Sequence, residues 1–213
     1  LLVVPSFFYF FFKVELPSTL EIIILLFIFS AEILGEVNNY YSIFPQWDTM
    51  LHTINGFIVA GIGFSLVDLL NKSDRVKFEL SPFFVALIAF CFSMTIGVIW
   101  EFFEFSMDNL FGMNTQKDTL ITTLNNARLL GGGRYDFKNI TEVIVNGKQL
   151  AGYIDIGLID TIGDLFVNFI GAIVFSVFGF FSIKFPNTFK FLRRFIPRKK
   201  DKDKDYLKYV NKS

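Results

Sequence analysis

The sequence predicts an all-α polytopic membrane protein, a bundle of about five transmembrane helices with a small extracytoplasmic β-hairpin insertion. Three observations predict it. The 213 residues are 53% hydrophobic and 18% aromatic, with 30 Phe, beyond what the core of a soluble domain of this size needs. Mean hydropathy is +0.50. Charge is also separated along the chain: residues 184–213 hold 11 Lys or Arg against three Asp, so a formal net charge of zero leaves −8 on residues 1–183. Finally, two stretches, 82–100 and 165–183, carry no charged side chain and come close to the roughly 20 residues that a spanning helix needs.

Taken in order, the chain opens with "LLVVPSFFYFFF", residues 1–12. This has neither a charged n-region nor a small-residue cleavage site, and reads as the stub of a transmembrane helix in a trimmed chain rather than a signal peptide. Leu20 to Leu34 and roughly Asp48 to Leu70 become long enough to span only by carrying acids or a His near their ends. The spans at 82–100 and 165–183 complete a transmembrane domain over residues 1–185. Between them, residues 109–157 change character. "ITEVIVNGKQLAGYIDIG" has two β-favouring runs around Asn146 and Gly147, a two-residue hairpin signal. The glycines at 131–133 read as a hinge, since no Lys-Ser or Lys-Thr pair follows to make a phosphate loop. Residues 186–213 form a basic tail whose "FKFLRRFIPRKK" start interleaves aromatics with bases beside a span, which suits anionic lipid headgroups better than nucleic acid. The single Cys91 excludes an intrachain disulfide.

Lys72, Arg75 and Lys77 mark the 71–80 loop, and the tail is basic, whereas residues 35–47 hold no Lys or Arg. By the positive-inside rule, that loop and the C-terminus are cytoplasmic in a multi-pass protein of the bacterial plasma membrane, and the 109–157 segment is outside. With that topology Glu32, Asp48, His52, Glu101, Glu104, Asp108, Asp160 and Asp164 all fall at outer helix ends.

Spacing adds to depth. Asp48 and His52 are four apart, as are Glu104 and Asp108, Asp160 and Asp164, and Asp164 and Asn168, and small residues continue the stripes inward. Residues at this spacing share a helix face, and small residues let membrane helices approach closely. Converging carboxylates without a Lys or Arg among them need protons or a cation. Acid and His pairs on helix bundles are a known way to hold metals. The expected ligands are Asp48, His52, Glu101, Glu104, Asp160 and Asp164, and the expected cofactor is a divalent cation (Mg, Mn, Fe or Zn). A mostly oxygen set suits Mg, Mn, Ca or iron better than a structural zinc. Plainer readings stand beside this one: Asp48 and Asp160 also fit helix caps, and Glu32 and Asp108 also fit solvated boundary residues.

"GEVNNYYSIFPQWDTMLHTINGFIVAGIGF", "FCFSMTIGVIWEFFEFSMDNLFGMNTQKDT" and "GLIDTIGDLFVNFIGAIVFSVFG" together resemble the YjdF-like family of bacterial integral membrane proteins, in which W-D-x-x-x-H, W-E-x-x-E-F and D-T-x-x-D-L recur. The resemblance covers about Pro17 to Gly179. It implies that Asp48, His52, Glu101, Glu104, Asp160 and Asp164 stand at motif positions, with Asn168 and Gly171 beside them, and it implies no activity.

Three function classes fit. The first is a metal-dependent enzyme acting on a lipid or lipid-linked substrate, with Glu101 or His52 as base. The second is a cation or proton transporter, and the third a non-enzymatic scaffold or sensor. Gly-x-Ser-x-Gly is absent, and "DTIGD" supplies only half of an alcohol-phosphatidyltransferase motif.

Overall fold

A computed structural model describes residues 14–15, 17–71, 80–128, 133–189, 191–192 and 198–199. The stub at 1–12, nearly all of the basic 71–80 loop, two of the three hinge glycines and most of the tail lie outside the described residues. The chain divides into two compact units: Leu1–Gly97 with Asp164–Ser213, and Val98–Gly163.

The first unit is helical. Helix α1 (Ser18–Ile28) runs into a π-helical segment (Phe29–Val37), followed by the short α2 (Tyr40–Ile43), the long α3 (Trp47–Asn71), and the parts of α4 (Pro82–Phe111) and α5 (Leu158–Lys184) that belong to it. Three helices among the described residues are long and apolar enough to cross a membrane: 22 residues of α3, 30 of α4 and 27 of α5. The stretches 82–100 and 165–183 lie within α4 and α5. Pro82 opens α4, where its missing N–H costs nothing, and the Ser81 hydroxyl accepts the Phe84 N–H at 3.3 Å. Helix α5 stops two residues before Pro186.

The segment expected to span from Leu20 to Leu34 is not a uniform α-helix. Its α-helical part has 11 residues, and nine residues of π-helix follow. A wider turn tilts carbonyls off the regular ladder, and the indole N–H of Trp47 donates to the Ser30 carbonyl at 3.2 Å. Gly35, in the same segment, packs so closely on the Tyr41 ring that a Cβ there would overlap it.

Packing among α1, α3, α4 and α5 uses two devices. Leu20, Ile24 and Ile28, one turn apart on α1, bury against Ile58 and Ile62 of α3. Elsewhere glycine brings backbones together: Gly56 faces the backbone carbonyl of Asn168, Gly171 faces that of Thr53, and a Cβ at either position would overlap it. The Ser93 hydroxyl donates to the Gly56 carbonyl at 2.8 Å. In lipid, where apolar contact between helices gains little over contact with acyl chains, such close approach and hydrogen bonding drive association. Further along, Ala60, Phe64, Val85, Ala89, Ala172 and Phe175 form the core.

The second unit contains the end of α4, the start of α5 and short strands between. Strand β5 (Val143–Val145) pairs with β6 (Lys148–Leu150) across Asn146 and Gly147, both at positive φ (49° and 77°), the hairpin geometry that Asn-Gly favours. Two further antiparallel pairs join β2 (Leu120–Ile121) to β7 (Tyr153–Ile154) and β3 (Leu124–Arg128) to β4 (Arg134–Phe137). A two-residue pairing of β1 (Val14–Glu15) with β8 (Arg198–Lys199) belongs to the first unit.

Candidate functional site

Helix α3 begins at Trp47, so Asp48 lies in its first turn and His52 one turn further along. This start is held from outside the helix by the Trp47 indole on the Ser30 carbonyl and by edge contacts of the Tyr40 ring with Phe44 and Trp47, at centroid distances of 4.9 and 5.0 Å. Aromatic clusters of this kind are typical of membrane–water boundaries. The Nε2 of His52 lies 3.7 Å from Asp48 Oδ1 and 3.6 Å from Asp164 Oδ2 on α5. Two carboxylates therefore flank one ring nitrogen, and both distances exceed an ordinary hydrogen bond. The Asp48–His52 proximity follows from spacing within α3. Asp164 joins because α3 and α5 approach through Gly56 and Gly171.

One turn along α5 from Asp164 is Asn168, only 1% exposed. Its Nδ2 lies 3.7 Å from the Met94 sulfur, a weak acceptor, and Oδ1 has no hydrogen-bond partner among the described residues. Gly97 of α4 packs on the Asn168 amide, leaving no room for a Cβ. A buried amide oxygen left in this state costs free energy. Glu32, in the π-helical segment, is exposed.

In the second unit Glu101 is 5% exposed and Glu104 half-buried, both on α4. Three aspartates there have a defined task. The two carboxylate oxygens of Asp108 accept the Thr115 N–H and hydroxyl (2.6 Å each) and the Gln116 N–H (2.8 Å). Asp160 accepts the Lys117 N–H at 3.0 Å. Asp155 accepts the N–H groups of Thr119 (2.8 Å), Gly157 (3.3 Å) and Ile159 (2.8 Å). The strap 113–119 is thus tied by its own backbone to three carboxylates, and Gln116 Nε2 donates to the Thr161 hydroxyl at 2.6 Å. Burial pushes the Asp155 carboxyl up, but the donors from Thr119, Ile159 and Gly157 together hold it below the ordinary carboxylate value.

Asp155 was not among the residues expected from sequence. An Asp two residues before a glycine is an Asx-turn signal, the bond that Asp155 makes to the Gly157 N–H, and it would have found this residue. Asp160 sits where expected, at the start of α5, and one of its oxygens serves the strap.

A family model described as "Predicted membrane protein (DUF2238)" matches residues 1–184. An uncharacterized protein of Thermotoga maritima is 28% identical over 111 residues, covering 50% of this chain. That alignment spans 55% of the relative's length. No solved structure matches. The chain belongs to the DUF2238 family of predicted membrane proteins.

Proposed function

We propose that this is an integral membrane metalloprotein whose divalent cation is held by Asp48, His52 and Asp164, with Glu101, Glu104 and Asp160 as further ligands on the strength of the sequence pattern alone. The observation that carries it is the imidazole of His52 flanked by two carboxylates among packed membrane helices. Two anions beside one nitrogen in a poorly hydrated place need positive charge between them. Ligand atoms that share one metal at about 2.0–2.2 Å stand roughly 3.0–3.6 Å apart by simple geometry, close to the 3.6 and 3.7 Å found. Mg, Mn and Fe suit the set best, with Zn as the further candidate.

A bound divalent metal activates water or polarises a phosphoryl or carbonyl oxygen. The residues around it would orient a lipid or lipid-linked substrate, and Glu101 or His52, whichever stays outside the coordination shell, would take the proton. A transport role is less well supported. Ser65 and Ser93 return their hydroxyls to the Gly61 and Gly56 carbonyls at 2.7 and 2.8 Å, and Phe64 and Phe175 fill the middle of the bundle. An ion moving further would meet these rings, with Ser176 the next buried polar side chain of α5 among the described residues.

The finer topology belongs to the same proposal. On the sequence reading, Leu20 to Leu34 and the opening stub would add two crossings to the three long helices, making five. The basic tail faces the cytoplasm against anionic headgroups, and the family is the YjdF-like one that the motifs resemble.

The test is the metal content of the detergent-purified protein by mass spectrometry, for wild type and for His52→Ala and Asp164→Asn variants that keep their helical content. About one metal per chain in the wild type and far less in both variants is expected. A wild type empty after supply of Mg, Mn, Zn and Fe would remove the metalloprotein reading.

A further inference from the structure

Helix α4 has 30 residues, about 45 Å at 1.5 Å per residue. That equals the full thickness of a bilayer with its headgroups, not just the hydrocarbon. Its last turn therefore falls at headgroup level, where polar residues are the usual choice. Of the polar residues of that turn, Asp108 is turned onto the strap, and the exposed Asn109 returns its amide N–H to the Phe105 carbonyl at 2.8 Å. Beside Asn109 the turn exposes Leu110 (76%) and Phe111 (70%), followed by Met113.

The other side of the strap repeats this. Ile156 is 80% exposed and holds φ at 53°, and exposed Leu158 follows at the first position of α5. Positive φ is costly for a β-branched residue, and Asn or Gly would adopt it with less strain. Asp155 enforces the conformation by accepting the N–H groups of Gly157 and Ile159, which follow Ile156, and that of Thr119 on the strap. A strained isoleucine projected into water gains nothing there. Strain of this kind indicates a use for the side chain.

We propose that Leu110, Phe111, Met113, Ile156 and Leu158 form an interfacial lipid anchor, which immerses both edges of the strap 113–119 in the headgroup–acyl boundary. The occupant is lipid because the same two apolar helices expose further large apolar side chains within this unit, Phe102 and Phe105 on α4 and Ile159 and Ile162 on α5. Interfacial binding of this type scales with the apolar area inserted. The anchor depends on the membrane character of the chain and not on the metal site.

The test uses full-length protein in phosphatidylethanolamine–phosphatidylglycerol vesicles. In a Cys91→Ala background, nitroxide labels are placed at Ile156→Cys, Leu110→Cys and, as a reference on the β5–β6 hairpin, Lys148→Cys. Labels at 156 and 110 are expected to collide with oxygen several-fold more, and with a water-soluble nickel chelate several-fold less, than the label at 148. Nickel accessibility at 156 and 110 equal to that at 148 would put these side chains in water and overturn the anchor. Immobilised labels shielded from both reagents would show a protein occupant and overturn it equally. The two label sites lie in different elements, one in the last turn of α4 and one in the turn before α5, so failure of one variant to fold leaves the other to decide.

Discussion

Replacing Asp155 by Asn isolates the device that ties the strap to the start of α5. In the native protein Oδ1 accepts the Thr119 and Gly157 N–H groups, and Oδ2 accepts that of Ile159. The amide keeps one oxygen for the first two, now as a neutral acceptor, and sets an NH2 donor against the Ile159 N–H. Hydrogen bonds to a charged acceptor contribute about 1.5–3 kcal/mol each, against about 1 for neutral ones. Losing one and weakening two should cost about 2–3 kcal/mol locally. That corresponds to roughly 30- to 150-fold faster amide exchange at Thr119 and Ile159. Hydrogen exchange in detergent or nanodiscs measures it directly, with Ile62 in the first unit as an internal reference. The wild type adds a pH signature. The Asp155 carboxyl is held below its ordinary 3.8, so its contribution is complete above that value and is lost as pH falls through the lower folded-state value. Protection at Thr119, corrected for intrinsic exchange, should decline in that acid window, and Asp155→Asn should flatten the decline. Unchanged exchange at both amides, or an equal rise at Ile62, would refute the reasoning.

Other substitutions test the packing and the site's support. Gly171→Ala drives a methyl into the Thr53 carbonyl and should cost about 1–3 kcal/mol in thermal stability, as overpacked sites do, whereas Gly163→Ala, with open space around it, should be neutral or stabilising. Trp47→Phe keeps the ring and loses the indole bond to Ser30, so unfolding measurements should show a loss of about 1 kcal/mol; an unchanged midpoint would show the π-helical segment to be held by other means. Ile156→Asn relieves the positive φ and should stabilise the second unit in detergent by about 1 kcal/mol, while weakening its lipid contact. Asn168→Leu removes the buried amide and collides with Gly97, so metal content and stability should fall together; retention of metal would show that the amide lies outside the site.

Much of this protein is legible in its residues, for reasons that differ by element. Helices α4 and α5 announce themselves because an uncharged run of that length has few other places to be. The β5–β6 hairpin follows from Asn146-Gly147, since few other dipeptides take two positive φ values so readily. The β2–β7 pair is not legible: Leu120 and Ile154 lie far apart in sequence, each strand has two residues, and no turn dipeptide links them. The break between α1 and the π-helical segment is equally hidden, because composition carries no mark of where a helix widens.

For the candidate site the division is similar. Asp48 and His52 are paired by the period of a single helix, so the sequence alone determines that they face the same way. Helical period, apolar runs and the placement of acids at span ends are one-dimensional properties and need no partner. Which other carboxylate reaches His52 was decided only by the tertiary structure, because Asp164 arrives through the approach of two backbones at Gly56 and Gly171. Tertiary structure likewise decided that Asp108, Asp155 and Asp160 bind the strap's backbone. An aspartate in a sequence carries its charge and position, but its partner is set by whatever the rest of the chain brings within hydrogen-bonding reach.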